Sequence, residues 1–339
     1  LFKNYPLLLP MSKYDLYAIG NALVDSEFEV TDDKLIAMGV LKRHMTLVDA
    51  DQRQALRDQL TDLTPRTSGG GSAGNTVVAL AQLGGKAFYS CRVGDDELGQ
   101  FYAADLKGHG VTSNLESGLI AGAPTGNCTV MVTPDAERSM CAYLGATAEL
   151  DRDALDAQAI AQSQLYYMEG YLAASPTGLQ AALAGKAVAK ESGVALALTL
   201  SDMSMINFCR DGLDAMLDGG VDYLFCNEEE AQMWCDTTDI DAICVHLSTL
   251  ATTVCLTRGP AGCMLLEGSS VTEVAGVPVK ALDTNGAGDM FAGAFLYAVS
   301  QGHTKVQAAT LANTCASLVV GQYGNRLETS KLKAAVAGL

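Results

Sequence analysis

The run Asp283-Thr284-Asn285-Gly286-Ala287-Gly288-Asp289 leads straight into the apolar stretch Met290-Phe291-Ala292-Gly293-Ala294-Phe295-Leu296. Small residues opening a helix leave the N–H groups of its first turn unsatisfied and open to close approach by a ligand. Aligned peptide dipoles favour an anion at such a place by about 0.3–1 kcal/mol per charge at exposed sites. Asp289 lies in the same turn, and its carboxylate would repel a bound phosphate unless it faces the nucleophile attacking that phosphate and takes its proton. The combination points to phosphoryl transfer. Gly-Ala-Gly-Asp by itself reads as an ordinary helix cap, but the seven-residue string is more specific than that.

Four further clusters carry possible chemistry. Gly69-Gly70-Gly71-Ser72-Ala73-Gly74-Asn75-Thr76 precedes the apolar run Val77 to Leu83. Through Gly69, Gly71 and Gly74 it satisfies G-x-G-x-x-G, with Asp95 and Asp96 at a dinucleotide-site distance. A dinucleotide fingerprint must follow a buried strand, however, and Asp62 to Ser68 is polar and contains Pro65. The first strand, Leu16 to Ile19, leads instead into Gly20-Asn21-Ala22-Leu23-Val24-Asp25. Ligands of open α/β sheets lie beyond the carboxyl ends of strands, which places Asn21 and Asp25 to meet one. Taken alone, such an Asp is a turn former. Asn227-Glu228-Glu229-Glu230 follows the apolar strand Tyr223 to Cys226, and its first two acids read as dipole complements on a solvated face. Thr257-Arg258-Gly259-Pro260-Ala261-Gly262 reads as a tight turn between Thr252 to Leu256 and Cys263 to Leu266.

Together these strings resemble the PfkB family, the ribokinase-like sugar and nucleoside kinases, over nearly the whole chain. The resemblance implies that the amides of Gly286, Ala287 and Gly288 form an anion hole for the transferred phosphoryl group and that Asp289 deprotonates the acceptor hydroxyl. It places Gly70 and Gly71 against the substrate, Asn75 on a sugar hydroxyl, and Asp25 on two hydroxyls beside Asn21. Gly-Asn-x-Leu-x-Asp looks more like adenosine kinases than ribokinases, and Leu200-Ser201-Asp202 also resembles the bacterial adenosine-kinase-like branch. Asn227 and Glu230 match an Asn-x-x-Glu motif that organises Mg²⁺ and its waters around the phosphates of ATP, so Glu230 would meet the metal through water. Thr257, Gly259 and Thr284 would contact the nucleotide, and Asn313, in the helical run Val306 to Val320, matches a position near the adenine. Gly94-Asp95-Asp96-Glu97-Leu98-Gly99 and Arg138 with Gly145-Ala146 are supporting matches. Asp202 is expected to cap the next helix.

Apolar β-like runs at Leu165 to Met168, Val194 to Leu198, Tyr223 to Cys226 and Thr252 to Leu256 alternate with helical segments. That alternation predicts an α/β fold with a mainly parallel sheet covered on both faces. Residues 27–68 and 111–145 read differently, with alternating strands Cys128 to Thr133 and Ser139 to Leu144 between Pro and Gly turns. These two segments are expected to form a small β-rich lid, with 11–26, 69–110 and 146–339 forming the large ribokinase-like domain. Residues 1–10 read as an extension before a natural start at Met11, since they lack a signal-peptide pattern.

A net charge of −17 over 339 residues argues against nucleic acid or an anionic membrane as partner. Ten cysteines contain no C-x-x-C pair and read as buried free thiols in a reducing cytoplasm. Four histidines show no ligand spacing, and no G-x-x-x-x-G-K-[ST] occurs. The expected protein is an ATP- and Mg²⁺-dependent kinase for a hydroxymethyl group of an adenosine-like nucleoside or a sugar, as monomer or homodimer. Its alternatives are a kinase for free fructose, ribose or 2-keto-3-deoxygluconate, a NAD-dependent dehydrogenase, or a non-catalytic nucleoside- or sugar-binding protein.

Overall fold

The computed structural model describes residues 12–135 and 137–338, so the extension and Met11 discussed above lie outside the described residues. In chain order its strands are β1 (Tyr14–Ile19), β2 (Leu23–Glu29), β3 (Met45–Leu47), β4 (Arg66–Gly69), β5 (Ala87–Ser90), β6 (Thr112–Ser113) and β7 (Gly126–Val132). They continue with β8 (Arg138–Tyr143), β9 (Ser163–Glu169), β10 (Ala195–Thr199), β11 (Val221–Asn227), β12 (Ala251–Thr257), β13 (Gly262–Glu267) and β14 (Ser270–Ala275).

Nine strands form the large sheet, in the order β14-β13-β12-β11-β10-β9-β1-β5-β6. The pairs from β12 to β6 are parallel, while β13 and β14 close one edge as antiparallel strands. Helices on both faces explain the near-continuous apolar character of its strands, since a parallel sheet is buried twice. One face packs Leu16, Ala18, Tyr167 and Phe225 against the helices Ser72–Gln82, Ala287–Ser300 and Lys305–Val320. The other packs Tyr17, Tyr166, Leu198 and Leu256 against Pro176–Glu191 and its neighbours. The helices Ser72–Gln82 and Ala287–Ser300 approach closely because Gly293 has no side chain. A Cβ there would collide with the Thr76 carbonyl and Ala79.

Five strands form a second sheet, β3-β8-β7-β2-β4. Its outer face buries Phe28, Met131 and Cys141 against Leu35 and Leu56 of the short helices Asp32–Ala37 and Ala50–Asp58. Its inner face carries Cys128, Val130, Val132 and Ala142, with Leu23, Met45 and Met140 packed beside them. Two boundaries differ from the sequence expectation. Residues 23–26 pair within this second sheet, because Val24 and Asp25 register against β4 and β7. Thr112 and Ser113 instead extend the large sheet beside β5.

Candidate active site

The carboxyl ends of the parallel strands bring several named side chains to one edge. Gly20-Asn21 follows β1, and Glu169, Thr199, Asn227 and Thr257 are the last residues of β9, β10, β11 and β12. Over this edge lies a cleft with a cavity volume of about 450 Å³, roofed by the inner face of the second sheet. Its lining includes Asn21, Asp25, Gly71, Asn75, Asn227, Glu230, Thr257, Gly259, Thr284 and the whole run Asn285 to Asp289. Its charged lining residues are all acids: Asp25, Glu169, Glu230 and Asp289.

The glycine-bearing turn is built as the sequence suggested, with one modification. Gly286 caps the helix Ala287–Ser300 in a left-handed conformation, at φ 73°, which suits glycine. Among the described residues, the N–H groups of Gly286, Gly288 and Asp289 have no protein acceptor. The Ala287 N–H bonds the Thr284 carbonyl at 3.3 Å, so the freest donors include Asp289's own amide rather than Ala287's. Asp289 stands in the first turn, where the dipole favours its charge. Its two oxygens accept from Ser72 Oγ at 2.7 Å and Asn75 Nδ2 at 2.8 Å, both from the facing helix Ser72–Gln82. Burial nevertheless raises its pKa to about 6, against the lowering effect of those two bonds.

Asn75 therefore spends its amide nitrogen on Asp289, while its buried Oδ1 has no partner and is free to accept from a ligand hydroxyl. Asp25 is 8% exposed, and burial pushes it up to about 7 although Arg326 and Arg138 pull the other way. Gly70 does not line the cleft. It lies beneath Asp25, where a Cβ would strike the carboxylate, so its absence of side chain makes room for the acid rather than for substrate. Gly71, at φ 81°, is needed for a different reason, since a Cβ would meet the Asn21 carbonyl. Gly70→Ala should accordingly raise the acceptor KM at least ~10-fold by displacing Asp25, with the ATP KM nearly unchanged. Steady-state kinetics with each substrate varied in turn checks this.

Asn227 and Glu230 form a reciprocal cap on the helix Glu228–Cys235. Asn227 Oδ1 accepts from the Glu230 N–H at 2.8 Å, and Glu230 accepts from the Asn227 N–H at 3.0 Å and from its Nδ2 at 2.8 Å. Glu230 is 6% exposed, and burial lifts it to about 7. Asn313 does not reach the cleft. Its Nδ2 bonds the Val274 and Ala275 carbonyls at 3.1 Å each, tying the helix Lys305–Val320 to β14. Asp202 caps the helix Met203–Phe208 as expected.

Glu169 is the principal site residue that the sequence did not announce. Fully buried, it accepts the Asn21 N–H at 2.7 Å and the Ala73 N–H at 2.8 Å, joining the loop after β1 to the start of the helix Ser72–Gln82. Burial raises it to about 7. A polar residue ending an apolar strand was the available signal, and Asn227 carries the same one.

These four raised acids have a consequence for stability. A carboxyl whose folded pKa exceeds its unfolded value near 4 makes folding take up protons between the two values, so stability is fully present below that window and is lost as pH rises through it. The ligand-free protein should therefore melt higher at pH 5 than at pH 8. Asp62, Asp96, Asp105 and Asp135 are shifted downward and act only below the window. A higher melting temperature at pH 8 in calorimetry would contradict this.

Residues 41–332 match the pfkB family carbohydrate kinase model. The chain belongs to this family. It is 29% identical to the adenosine kinase of Schizophyllum commune, over 95% of this chain and 99% of that one. Among solved structures, it is similar to a probable sugar kinase protein from Rhizobium etli CFN 42, at TM-score 0.91 and 33% identity, covering 97% of this chain and 99% of that one. It is equally similar to the adenosine kinase of Sinorhizobium meliloti, at TM-score 0.90 and 34% identity, covering 97% and 100%. This PfkB protein is thus an ATP-dependent phosphotransferase with a nucleoside or sugar alcohol as acceptor, and its α/β fold is the ribokinase-like one. No helix among the described residues is long and apolar enough to cross a membrane.

Proposed function

We propose that the acceptor is an adenosine-like nucleoside, phosphorylated on its hydroxymethyl group. The observation that carries this reading is the two-sided character of the cleft. Asp25, Asn21 and Asn75 gather hydrogen-bonding groups at one end, while Met45, Val130, Met140 and Ala142 face them from the second sheet. Asp25 and Cys128 are register partners on β2 and β7, so the polar clamp and the apolar roof share one surface. A nucleoside offers a diol to the first and a flat base to the second. A free sugar would leave several hydroxyls against methionine and valine, each unpaired group costing about 1–3 kcal/mol. Two of the relatives named above carry adenosine kinase in their names, which agrees.

In this reading Asp289 accepts the proton of the attacking hydroxyl, held by Ser72 and Asn75 so that one oxygen edge faces the acceptor. The free amides of Gly286, Gly288 and Asp289 stabilise charge on the transferred group. Asp25 binds the diol, and the second sheet acts as the lid that excludes water, a competing acceptor. With only acids among the charged lining groups, the triphosphate needs an accompanying cation. Glu230, buried at the cleft wall with no cluster of three or more metal-binding side chains among the described residues, suits Mg²⁺ held mainly by phosphates and water. The bound Mg²⁺ would supply charge neutralisation on the phosphate oxygens. Ten free thiols fit a reducing cytoplasm.

An ATP-consumption screen across nucleosides and sugars tests the proposal. Turnover with adenosine-like nucleosides is expected. Turnover with sugars alone would overturn the acceptor, and none with either would favour a non-catalytic binding protein.

A further inference from the structure

The loop 321–328, between the helices Lys305–Val320 and Thr329–Val336, touches both the glycine-bearing turn and Asp25, although no motif marks it. Gly324 donates its N–H to Asp283 Oδ2 at 2.8 Å, and the other oxygen of Asp283 accepts the Asn285 N–H at 2.8 Å. Arg326 Nε donates to the Gly69 carbonyl at 3.2 Å. Between them, Asn325 is 4% exposed, and its Nδ2 donates to Asp25 Oδ2 at 3.1 Å. The Asn325 side chain also lies against Gly286, where a Cβ would come within 2.8 Å of the Asn325 Cβ. One buried amide therefore rests on the turn that meets the phosphoryl group and holds the carboxylate proposed to bind the acceptor.

A small chamber of about 200 Å³ adjoins the cleft here, and Asp25, Val130 and Asn285 line both. Asn325 lines the chamber, with its Oδ1 buried and lacking a donor. The amide is thus turned to give its N–H groups to Asp25 and, at 3.5 Å, to the Gly69 carbonyl while its oxygen goes unpaired, which is the orientation two acceptors impose on a neighbour that could present either end. Resting on the acceptor-clamp reading of Asp25, we propose that Asn325 is the positioning residue of that clamp: it fixes the orientation of the Asp25 carboxylate toward the acceptor diol and holds it at a set distance from the phosphoryl-binding turn.

Other charged groups facing Asp25 are Arg326 from the same loop, Arg138 from β8, Glu27 from β2 and Asp289 from the helix Ala287–Ser300. Of these, the structure gives Asp25 a direct hydrogen bond from none; Asn325 supplies the one side-chain donor recorded for its carboxylate among the described residues. Removing a donor to the ionised form makes protonation of Asp25 easier. Replacing it with an acid adds a second carboxylate that shares a proton with the first.

The test compares Asn325→Ala and the near-isosteric Asn325→Asp with the parent enzyme and with Asp25→Ala, using nucleoside and 2′-deoxynucleoside acceptors across pH 5.5–8.5 at about 25 °C. Asn325→Ala should raise the nucleoside KM about tenfold or more while leaving the ATP KM within about twofold, as expected for loss of a hydrogen bond to a charged group. Asn325→Asp should make nucleoside binding improve as pH falls, because the shared proton restores a donor. A melting temperature lowered with no KM split and no pH displacement in either variant would reduce Asn325 to a packing role and overturn the proposal. Asp25→Ala separates the two levels of the argument. If it leaves the nucleoside KM unchanged, the clamp reading itself fails; if it damages binding while both Asn325 variants bind normally, only the positioning role fails.

Discussion

Asp289→Asn is expected to lower kcat by at least ~10²–10⁴, the usual value of a positioned general base, while the fold survives. The amide keeps the shape of the carboxylate, and Ser72 Oγ can still donate to its oxygen at the present 2.7 Å position. What is lost is the acceptor of the hydroxyl proton. ATP should bind at least as well, since a negative charge beside the phosphoryl site has been removed, so the ATP KM should stay level or fall. The pH profile gives an independent check. Asp289 works only when ionised, and burial raises it to about 6 in the ligand-free protein, so kcat/KM in the parent should decline as pH falls through that value. Activity thus rises with pH through the same interval in which the ligand-free protein loses stability, the opposition expected of a site that keeps acids in a poorly solvated cleft. Near-parent turnover in the variant would remove Asp289 from the chemistry.

The second large effect concerns acceptor selection. A buried carboxylate that accepts from a diol penalises any analogue lacking a hydroxyl, because its lone pair would then go unpaired. Asp25 is buried, in a place that exists only because Gly70 carries no side chain. Asp25→Ala should lower kcat/KM for the preferred nucleoside by at least ~10², chiefly through KM, and shrink discrimination against the deoxy analogue toward unity. Competition assays with the two acceptors measure both. A variant that still rejected the deoxy compound as strongly as the parent would place diol recognition elsewhere. Because Asp25 is raised to about 7, acceptor binding in the parent should also weaken as the medium is acidified through neutrality.

The parts of the site visible in the sequence were those where backbone demands and chemistry coincide. Gly286 occupies a left-handed position at the mouth of a helix, and the residues around it had to be small, so the run from Asp283 to Asp289 carried its meaning in its composition. The strand ends bearing Asn227 and Thr257 were legible because apolar runs in a parallel sheet stop at the ligand edge. Four residues were not. Gly70 was assigned to substrate because its neighbours are, whereas its reason for being glycine is the acid stacked on it from 45 positions earlier in the chain. Asn313 is polar on an apolar helix for the sake of two β14 carbonyls, a demand that no local pattern reveals. Glu169 and Asn325 act through contacts 148 and 300 residues away in sequence, to Asn21 and Asp25.

The lid segments show the same limit. Within them, Met45 lines the cleft, Met131 faces the outer packing of the sheet and Leu41 is exposed. Period-two patterning marks the strands, but which face meets the cleft depends on how the sheet is set over the large domain. The Arg138 side chain, at the start of β8, ties this sheet to the turn by pairing with both Glu27 and Asp283, a link between segments that read separately in the sequence.

A structure of the protein with a non-hydrolysable ATP analogue and a nucleoside bound together tests the central claim most directly. It should show the terminal phosphate within hydrogen-bonding distance of the Gly286, Gly288 and Asp289 amides, with the acceptor hydroxyl beside the Asp289 carboxylate and the diol on Asp25. A triphosphate seated away from that turn, with the nucleoside hydroxymethyl group pointing elsewhere, would contradict it.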